Sequence, residues 1–526
     1  MTNSIAEIEQ SKVILITGSN TTENHPVIGA AVKRAVLQHG AKLILVDPRK
    51  IELAEIATLW LSPRPGTDLA WINGLIHIIV QENLLNTPFI QERTEGFEEF
   101  KAAVAAFTPS MVSEITGIPE KDLFQAARLY AEDRAAIYYT MGITQHSHGT
   151  DNVKALANLA LVCGNVGVPG AGINPLRGQN NVQGACDMGA LPNVFSGYQS
   201  VSEPEIKEKM EKAWGVKGLS DKPGLTLMEI TEGAKNKTIR GLYIFGENPV
   251  VSDPDTHHLT QALKALDFLV VQDLFLTETA QLADVVLPGA SFAEKEGTFT
   301  NTERRVQRVR QAITPLGEAR PDWRIIAELS TRMGLPMGYE NPEAIYEEVR
   351  SLTPSYAGIT YQRINRAGIQ WPCPTPDHPG TPYLHQDRLT RGLGKFHALT
   401  YIGPKEVPDA DYPLILSTGR VLYHYHTGTM TRKSKGLEEM APECLIEISA
   451  ADAQALKIAE GERVKVLSRR GDLQARIKIT ERSPQGTIFI PFHYAEAAAN
   501  RLTQTALDPV AKIPELKVCA VRIEKL

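Results

Sequence analysis

The stretch VILITGSNTTENHPVIGAAVKRAVLQHGAKLILVDPRK, residues 13–50, decides the fold class. Val13 to Thr17 is a short apolar run ending at Gly18, and a run of that length and β-branched content predicts a buried strand. From Pro26 to Gln38 the apolar residues recur at helical spacing until Gly40, a residue type that ends helices because it accepts left-handed backbone. Leu43 to Val46 is a second apolar run, ending at Asp47. Strand, helix and strand make a βαβ unit with polar residues at the carboxyl ends of both strands, the edge at which open α/β sheets bind ligands. The layout recurs downstream: GLYIFGEN places Gly246 after an apolar strand, Asp255 to Leu266 has helical spacing, and FLVVQD ends at Asp273. Two matching units suggest two related nucleotide-type sites. Neither carries GxGxxG, so two ordinary α/β layers with Gly and Asp in their turns remain an equal reading of these residues taken alone.

Around these units the composition is that of a globular protein. At 526 residues the chain is long enough for about three to four domains. The formal net charge of −6 does not suggest a nucleic-acid partner. The most apolar stretch, WINGLIHIIV, is interrupted by Asn73 and His77, so no membrane span is expected. The N-terminal MTNSIAEIEQSK lacks a basic region followed by an apolar one, so no signal peptide is expected. Five scattered cysteines form no CxxC pair; they fit a reducing, cytoplasmic setting and leave no start for an iron-sulfur cluster, which would have to sit on another chain. Near residue 340 the texture turns Pro-rich and irregular. After Tyr412, RVKVLS, LQARIKIT and TIFIPF read as a meander, and Ser449 as the N-cap of a short helix. The expected fold is therefore α/β: two dinucleotide-binding-like α/β domains, at 1–178 and 179–345, a connector at 346–405, and a β-barrel-type domain at 406–526.

Residues 174–189, NPLRGQNNVQGACDMG, have a different texture, rich in small residues and amides with a single arginine. Small residues let backbone approach a large ligand, amides supply paired donors and acceptors, and the planar fork of Arg177 suits a carboxylate or phosphate. A solvated loop would seldom place Cys, Met and Val among its amides.

This segment, continuing to RGQNNVQGACDMGALP, closely resembles a loop of formate dehydrogenases in the molybdenum or tungsten bis-molybdopterin guanine dinucleotide family. Further motifs follow in the family's order: GSNTTENHP, LILVDPRK, LSPRPGTD, RTEGFEEF, MGITQ, FGENP, VVQDLFLTETAQLADVVLPGASFAEKEGTFTNTERRVQ, PDWRIIAELSTRMG and LILSTGR. The resemblance covers essentially the whole chain and implies a catalytic-subunit portion that oxidises formate to carbon dioxide on a bis-molybdopterin guanine dinucleotide cofactor carrying Mo or W. It implies that Gly18, Asn20, His25 and Pro26 lie over one cofactor's phosphates, that Asp47 and Arg49 contact its ribose and pyrophosphate, and that Thr67 and Asp68 read guanine. An aspartate can accept both N–H groups of a guanine edge. Gly142, Thr144 and Gln145 would add contacts. Gly246, Glu247, Asn248, Asp273 and Thr277 would serve the second dinucleotide, while Gly419, Arg420, His424 and His426 close over the pterins. Arg177 would hold formate, with Gln179 completing the pocket.

Family members also carry an iron-sulfur domain and a metal-ligating Cys or selenocysteine followed by His, for which this sequence has no counterpart, so no residue is assigned to the metal. Cys186 is followed by Asp187 and is expected to be a small buried residue. The expected partners are therefore formate, an N-terminal portion bearing the cluster and the metal ligand, and an electron-transfer subunit, without which this chain should be inactive. Other readings are another bis-pterin oxidoreductase, nitrate reductase-like, or a non-catalytic cofactor-binding or assembly partner. His146 and His148, spaced i, i+2, chelate poorly. A solvated or cofactor-edge place is expected for them.

Overall fold

Val13–Thr17 forms a strand buried at every position, the burial expected at the centre of a parallel sheet covered on both faces. The computed structural model describes residues 1–526 and divides them into two units: Met1–Leu176, Val251–His257 and Tyr383–Leu526 in the first, Arg177–Val250 and His258–Pro382 in the second.

In the first unit, Val13–Thr17 pairs in parallel with Lys42–Val46 on one side and Ala135–Tyr139 on the other. Leu59–Leu61 and Gly172–Pro175 complete a five-stranded parallel sheet. Alternation along each strand feeds two cores. Ile14, Ile16, Leu43 and Leu45 pack with Ile28, Val32 and Ala35 of the helix Pro26–His39. Val13, Leu15, Ile44 and Val46 pack on the opposite face with Trp71, Leu75 and Ile79 of Asp68–Gln81. Pro26 opens its helix at a first-turn position where no backbone donor is needed, and Gly40 closes it in left-handed backbone at φ 72°. The WINGLIHIIV stretch is thus a core helix, and no helix is long and apolar enough to cross a membrane. Chain order reverses at Val13–Thr17, since the strands that follow it run out first to one side and then to the other. This is the switch point where α/β sheets open a crevice.

The C-terminal strands belong to the same unit and close a six-stranded barrel. The expected meander is only half realised. Arg463–Leu467 and Asp472–Ile479 form an antiparallel hairpin, but Thr487–Pro491 pairs in parallel with Leu414–Gly419 and bridges antiparallel to Leu445–Ile448. Thr487–Pro491 is buried at all five positions, so it is stabilised by neighbours on both sides within a closed wall, which local patterning cannot assign. Ser449 caps Ala450–Leu456 as expected, its hydroxyl accepting from the Asp452 N–H at 3.1 Å.

The second unit holds a three-stranded parallel sheet of Gly241–Phe245, Phe268–Asp273 and Val285–Pro288. Ile244, Leu259, Leu263, Leu269 and Val271 cover one face. The other shows Tyr243, Phe245, Phe268 and Val285, between 37% and 50% exposed. Residues 346–382 lie in this unit, where Tyr346, Tyr356, Ile359, Tyr361 and Cys373 build a separate core with Val306; residues from Tyr383 onward return to the first.

Candidate cofactor and substrate sites

At the switch point the loop after Val13–Thr17 presses against the loop after Ala135–Tyr139. Gly18 adopts φ +55°, and its carbonyl accepts from Gly142 N–H at 3.1 Å and Thr140 Oγ1 at 2.5 Å. A Cβ on Gly142 would stand 2.5 Å from Gly18 Cα, so this approach requires glycine. Beside it Asn20 is buried, and its Nδ2 has no hydrogen-bond partner; the same is true of Thr17 Oγ1. His25 and the exposed Pro26 stand at the start of the long helix, whose free N–H groups and dipole favour an anion.

The Asp47 carboxylate accepts from Arg49 N–H at 2.9 Å. Burial pushes Asp47 up to about 6 despite that bond. The Arg49 guanidinium donates to Glu447 Oε2 of the barrel at 2.6 Å and lies 3.5 Å over the Phe489 ring, while its buried Nε has no partner. Lys517 donates to Thr418 O at 2.7 Å. Burial and the nearby Arg420 and Arg49 charges push Lys517 down to about 7. Barrel and sheet thus bring Arg49, Arg420 and Lys517 close enough together for their charges to act on one another. Lys517 is absent from the residues the sequence points to; ELKVCAVRI looks like a barrel strand, and no spacing marks its lysine.

Thr67 and Asp68 begin the core helix, with Thr67 Oγ1 donating to Arg64 O at 2.7 Å and Trp71 Nε1 donating to Asp68 Oδ1 at 3.4 Å. His146 lies between two acids: its Nε2 is 3.6 Å from Asp68 Oδ2 and its Nδ1 is 3.7 Å from Glu515 Oε1. Burial disfavours the imidazolium, but these carboxylates outweigh it and raise His146 above its ordinary value. Burial and the His146 charge instead drive His148 down to about 4, and both of its ring nitrogens lack partners. Of the two places expected for the pair, solvated or at the cofactor edge, the solvated one is therefore wrong. Both are buried, because the segment that carries them is tied down through Ser147 to Glu515 and Thr150 to Asp508. Thr144 Oγ1 donates to Met141 Sδ, and Gln145 O accepts from Leu516 N–H at 3.2 Å.

On the barrel, a Cβ on Gly419 would stand 2.6 Å from the Phe489 ring, so only glycine lets that ring reach Arg49. Arg420 lies 5.7 Å from the Phe492 ring, and burial lowers its pKa. His424 is fully engaged by protein, its Nε2 with Ala441 O at 2.7 Å and its Nδ1 with Thr431 Oγ1 at 3.2 Å. His426 is held neutral by burial, down to about 4, and its carbonyl accepts from His493 Nδ1.

In the second unit, Gly246 turns at φ +64° and Asn248 stitches two strand ends together: its Nδ2 donates to Glu278 at 2.7 Å and its Oδ1 accepts from Thr279 Oγ1 at 2.7 Å. Thr277 Oγ1 accepts from Ala280 N–H at 3.1 Å. Burial raises Glu247 and Asp273. The small-residue loop is also ordered here. Asn181 takes left-handed backbone at φ 60°, and its Oδ1 accepts from Thr300 N–H at 2.9 Å. Arg177 N–H donates to Thr302 Oγ1 at 3.1 Å, and Arg177 Nε to Gln183 Oε1 at 3.1 Å. Gln179 is half-buried in the turn before Val182–Asp187. Cys186 is half-buried rather than buried, because it faces outward from this short helix while Gln183 and Asp187, on the other side, face in; burial raises its thiol.

The first-unit crevice fits an elongated anion carrying a base. It has glycine loops that a side chain would fill, cations in excess, a buried guanidinium Nε and a buried amide without partners, and a helix-start carboxylate. Comparison with known proteins gives the same direction. Residues 1–332 match the family model for molybdopterin oxidoreductase, and residues 414–520 that for the molybdopterin dinucleotide binding domain. The chain is similar to the F420-dependent formate dehydrogenase subunit alpha of Methanocaldococcus jannaschii, 52% identical over 532 residues, covering 100% of this chain and 78% of the relative. It is also similar to formate dehydrogenase H of Escherichia coli, 40% identical over 533 residues, covering 100% of this chain and 74% of that one. Among solved structures, acetylene hydratase from Pelobacter acetylenicus shares the fold at a TM-score of 0.79 and 22% identity, over 100% of this chain and 79% of the other.

Proposed function

Since this chain belongs to the molybdopterin oxidoreductase family, among the formate dehydrogenase alpha subunits, we propose that it converts formate to carbon dioxide, one proton and two electrons. The observation that carries this reading is whole-chain similarity to two formate dehydrogenases combined with an Arg177 loop whose arginine is held by its own side-chain network. The cofactor is molybdopterin guanine dinucleotide with Mo or W, and its metal centre supplies the two-electron chemistry. Asn20, Arg49, Arg420 and Lys517 are suited to its phosphates, Asp47 to a ribose hydroxyl, and Thr67 and Asp68 to the guanine edge. Gly246, Glu247, Asn248, Asp273 and Thr277 are suited to a second dinucleotide. Arg177 fixes formate by its carboxylate, leaving C–H to face the reacting centre, an orientation a bidentate fork secures and an ammonium does not. Gln179 closes the same pocket.

A parallel sheet is ordinarily covered on both faces, and the second unit's sheet leaves Tyr243, Phe245, Phe268 and Val285 outward. We assign that face to the N-terminal portion of the catalytic subunit that brings the iron-sulfur cluster and the metal ligand, with an electron-transfer subunit beyond it. The five free cysteines fit a cytoplasmic place of action. The test is formate-dependent dye reduction. It is read on enzyme to which the cluster- and metal-ligand-bearing portion of the catalytic subunit has been restored. In the restored enzyme Arg177→Lys should lower kcat/KM for formate at least about tenfold at unchanged metal and pterin content. Loss of cofactor in proportion to activity would instead place Arg177 on a pterin phosphate.

A further inference from the structure

Asp187 is wholly buried, and four donors converge on its two oxygens. Oδ1 accepts from Gln183 Nε2 at 2.8 Å and from Tyr198 OH at 2.9 Å. Oδ2 accepts from Trp371 Nε1 at 2.8 Å and from Tyr356 OH. None of these donors carries a charge. One route to a cation runs through Gln183, whose Oε1 accepts from Arg177 Nε.

From this arrangement we infer that Asp187 and Gln183 are positioning residues that set the plane of the Arg177 guanidinium for its carboxylate ligand; the inference rests on the reading of Arg177 given above. The carboxyl accepts at both oxygens, from Tyr198 OH at Oδ1 and from the donor-only Trp371 indole at Oδ2, so the end of the Gln183 amide that faces it is the NH2. The carbonyl end is then forced toward Arg177 Nε. A second bond from Gln183 Nε2 to Tyr198 OH, at 2.9 Å, locks the amide against rotation. Asp187 thereby decides which way Gln183 points, and Gln183 decides the rotation of the guanidinium about its Nε, turning the Nη edge to the side that the amide does not occupy. The acid is buried without a cation of its own because its role is carried through the amide.

Substitution can reverse the polarity of this relay without changing its shape. In Asp187→Asn, the donor-only indole of Trp371 requires the new amide to keep its oxygen toward Trp371 and turn its NH2 toward Gln183 and Tyr198. Gln183 then meets a donor and relaxes by turning its own NH2 onto Arg177 Nε–H. The combined change Asp187→Asn with Gln183→Glu gives residue 183 an acceptor on both sides, one for the new NH2 at position 187 and one for Arg177 Nε–H.

The experiment is steady-state formate kinetics on the loaded, assembled enzyme, with metal, pterin and melting temperature measured on each preparation. Asp187→Asn should lower kcat/KM about 10- to 100-fold, mainly through KM, at near wild-type metal and pterin. The double variant should recover to within about threefold of wild type, a non-additivity expected only if the two residues act in series. A purely structural role for Asp187 predicts instead a fall in kcat that tracks lost metal, with KM unchanged and no recovery; that result, or wild-type kinetics in Asp187→Asn, would overturn the relay. Arg177→Lys separates the two levels: normal kinetics there would remove the Arg177 reading itself, whereas an impaired Arg177→Lys beside an unaffected Asp187→Asn removes only the relay.

Discussion

Lys517 should destabilise the cofactor-free protein below neutral pH, and Lys517→Met should expose that cost. Its pKa is lowered from 10.5 to about 7, first by burial and then by the Arg420 and Arg49 charges. At about 1.4 kcal/mol per unit this corresponds to at most ~5 kcal/mol of disfavoured protonation. Partial solvent access at the side chain lowers the figure to about 2–3 kcal/mol. Methionine keeps the apolar stem, but the bond to Thr418 O is lost, at about 1 kcal/mol. The net expectation is that Lys517→Met is about 1–2 kcal/mol more stable than wild type at pH 6.5. The sign with pH follows from the depressed value. Below about 7 both folded and unfolded lysine are charged, so the penalty is complete. As pH rises toward 10.5 the folded state releases its proton while the unfolded state still holds one, so wild-type stability climbs and the variant's advantage shrinks. Urea denaturation of cofactor-free protein at pH 6.5 and 9.5 measures both. With cofactor the order should invert, since phosphate charge compensates the ammonium that methionine lacks, and retained pterin should fall at least about tenfold in the variant. A variant no more stable than wild type at pH 6.5, or a gap that ignores pH, would refute the excess-cation account of this crevice.

Three more expectations concern the same unit. Asp68→Ala should reduce retained guanine nucleotide by about 1–3 kcal/mol of binding, measured by nucleotide release from purified protein; an unchanged content would put the guanine pocket elsewhere. Gly142→Ala would push a methyl to 2.5 Å from Gly18 Cα, and it should lower the unfolding free energy by about 1–3 kcal/mol together with pterin content, whereas an unaltered variant would mean the two loops part freely. Glu447→Gln strips the buried partner of Arg49 at 2.6 Å and should cost about 3–5 kcal/mol in the cofactor-free chain, with inorganic phosphate restoring part of it in the same urea titration; no phosphate effect would argue against Arg49 as an anion ligand.

Elements built from local patterning were legible in the sequence. The apolar runs VILIT and LILV, Pro26 and Gly40 at the two helix ends, and Ser449 before its helix marked strands and caps where the structure has them, because propensity and capping act over a few residues. The amide-rich loop around Arg177 was also marked by composition alone. What depended on distant residues was not. Only the tertiary structure pairs Thr487–Pro491 with Leu414–Gly419 rather than with its predecessor, since barrel closure rewards strand neighbours far apart in sequence. The same closure brings Lys517 and Arg420 toward Arg49 and buries His146 between Asp68 and Glu515, while in the second unit folding sets four neutral donors from 183 to 371 around Asp187. The sequence determined which chemical groups are present and the local backbone that carries them. Folding decided which of those groups are desolvated and which face one another, and electrostatic strength, which rises as water is excluded, follows from that alone.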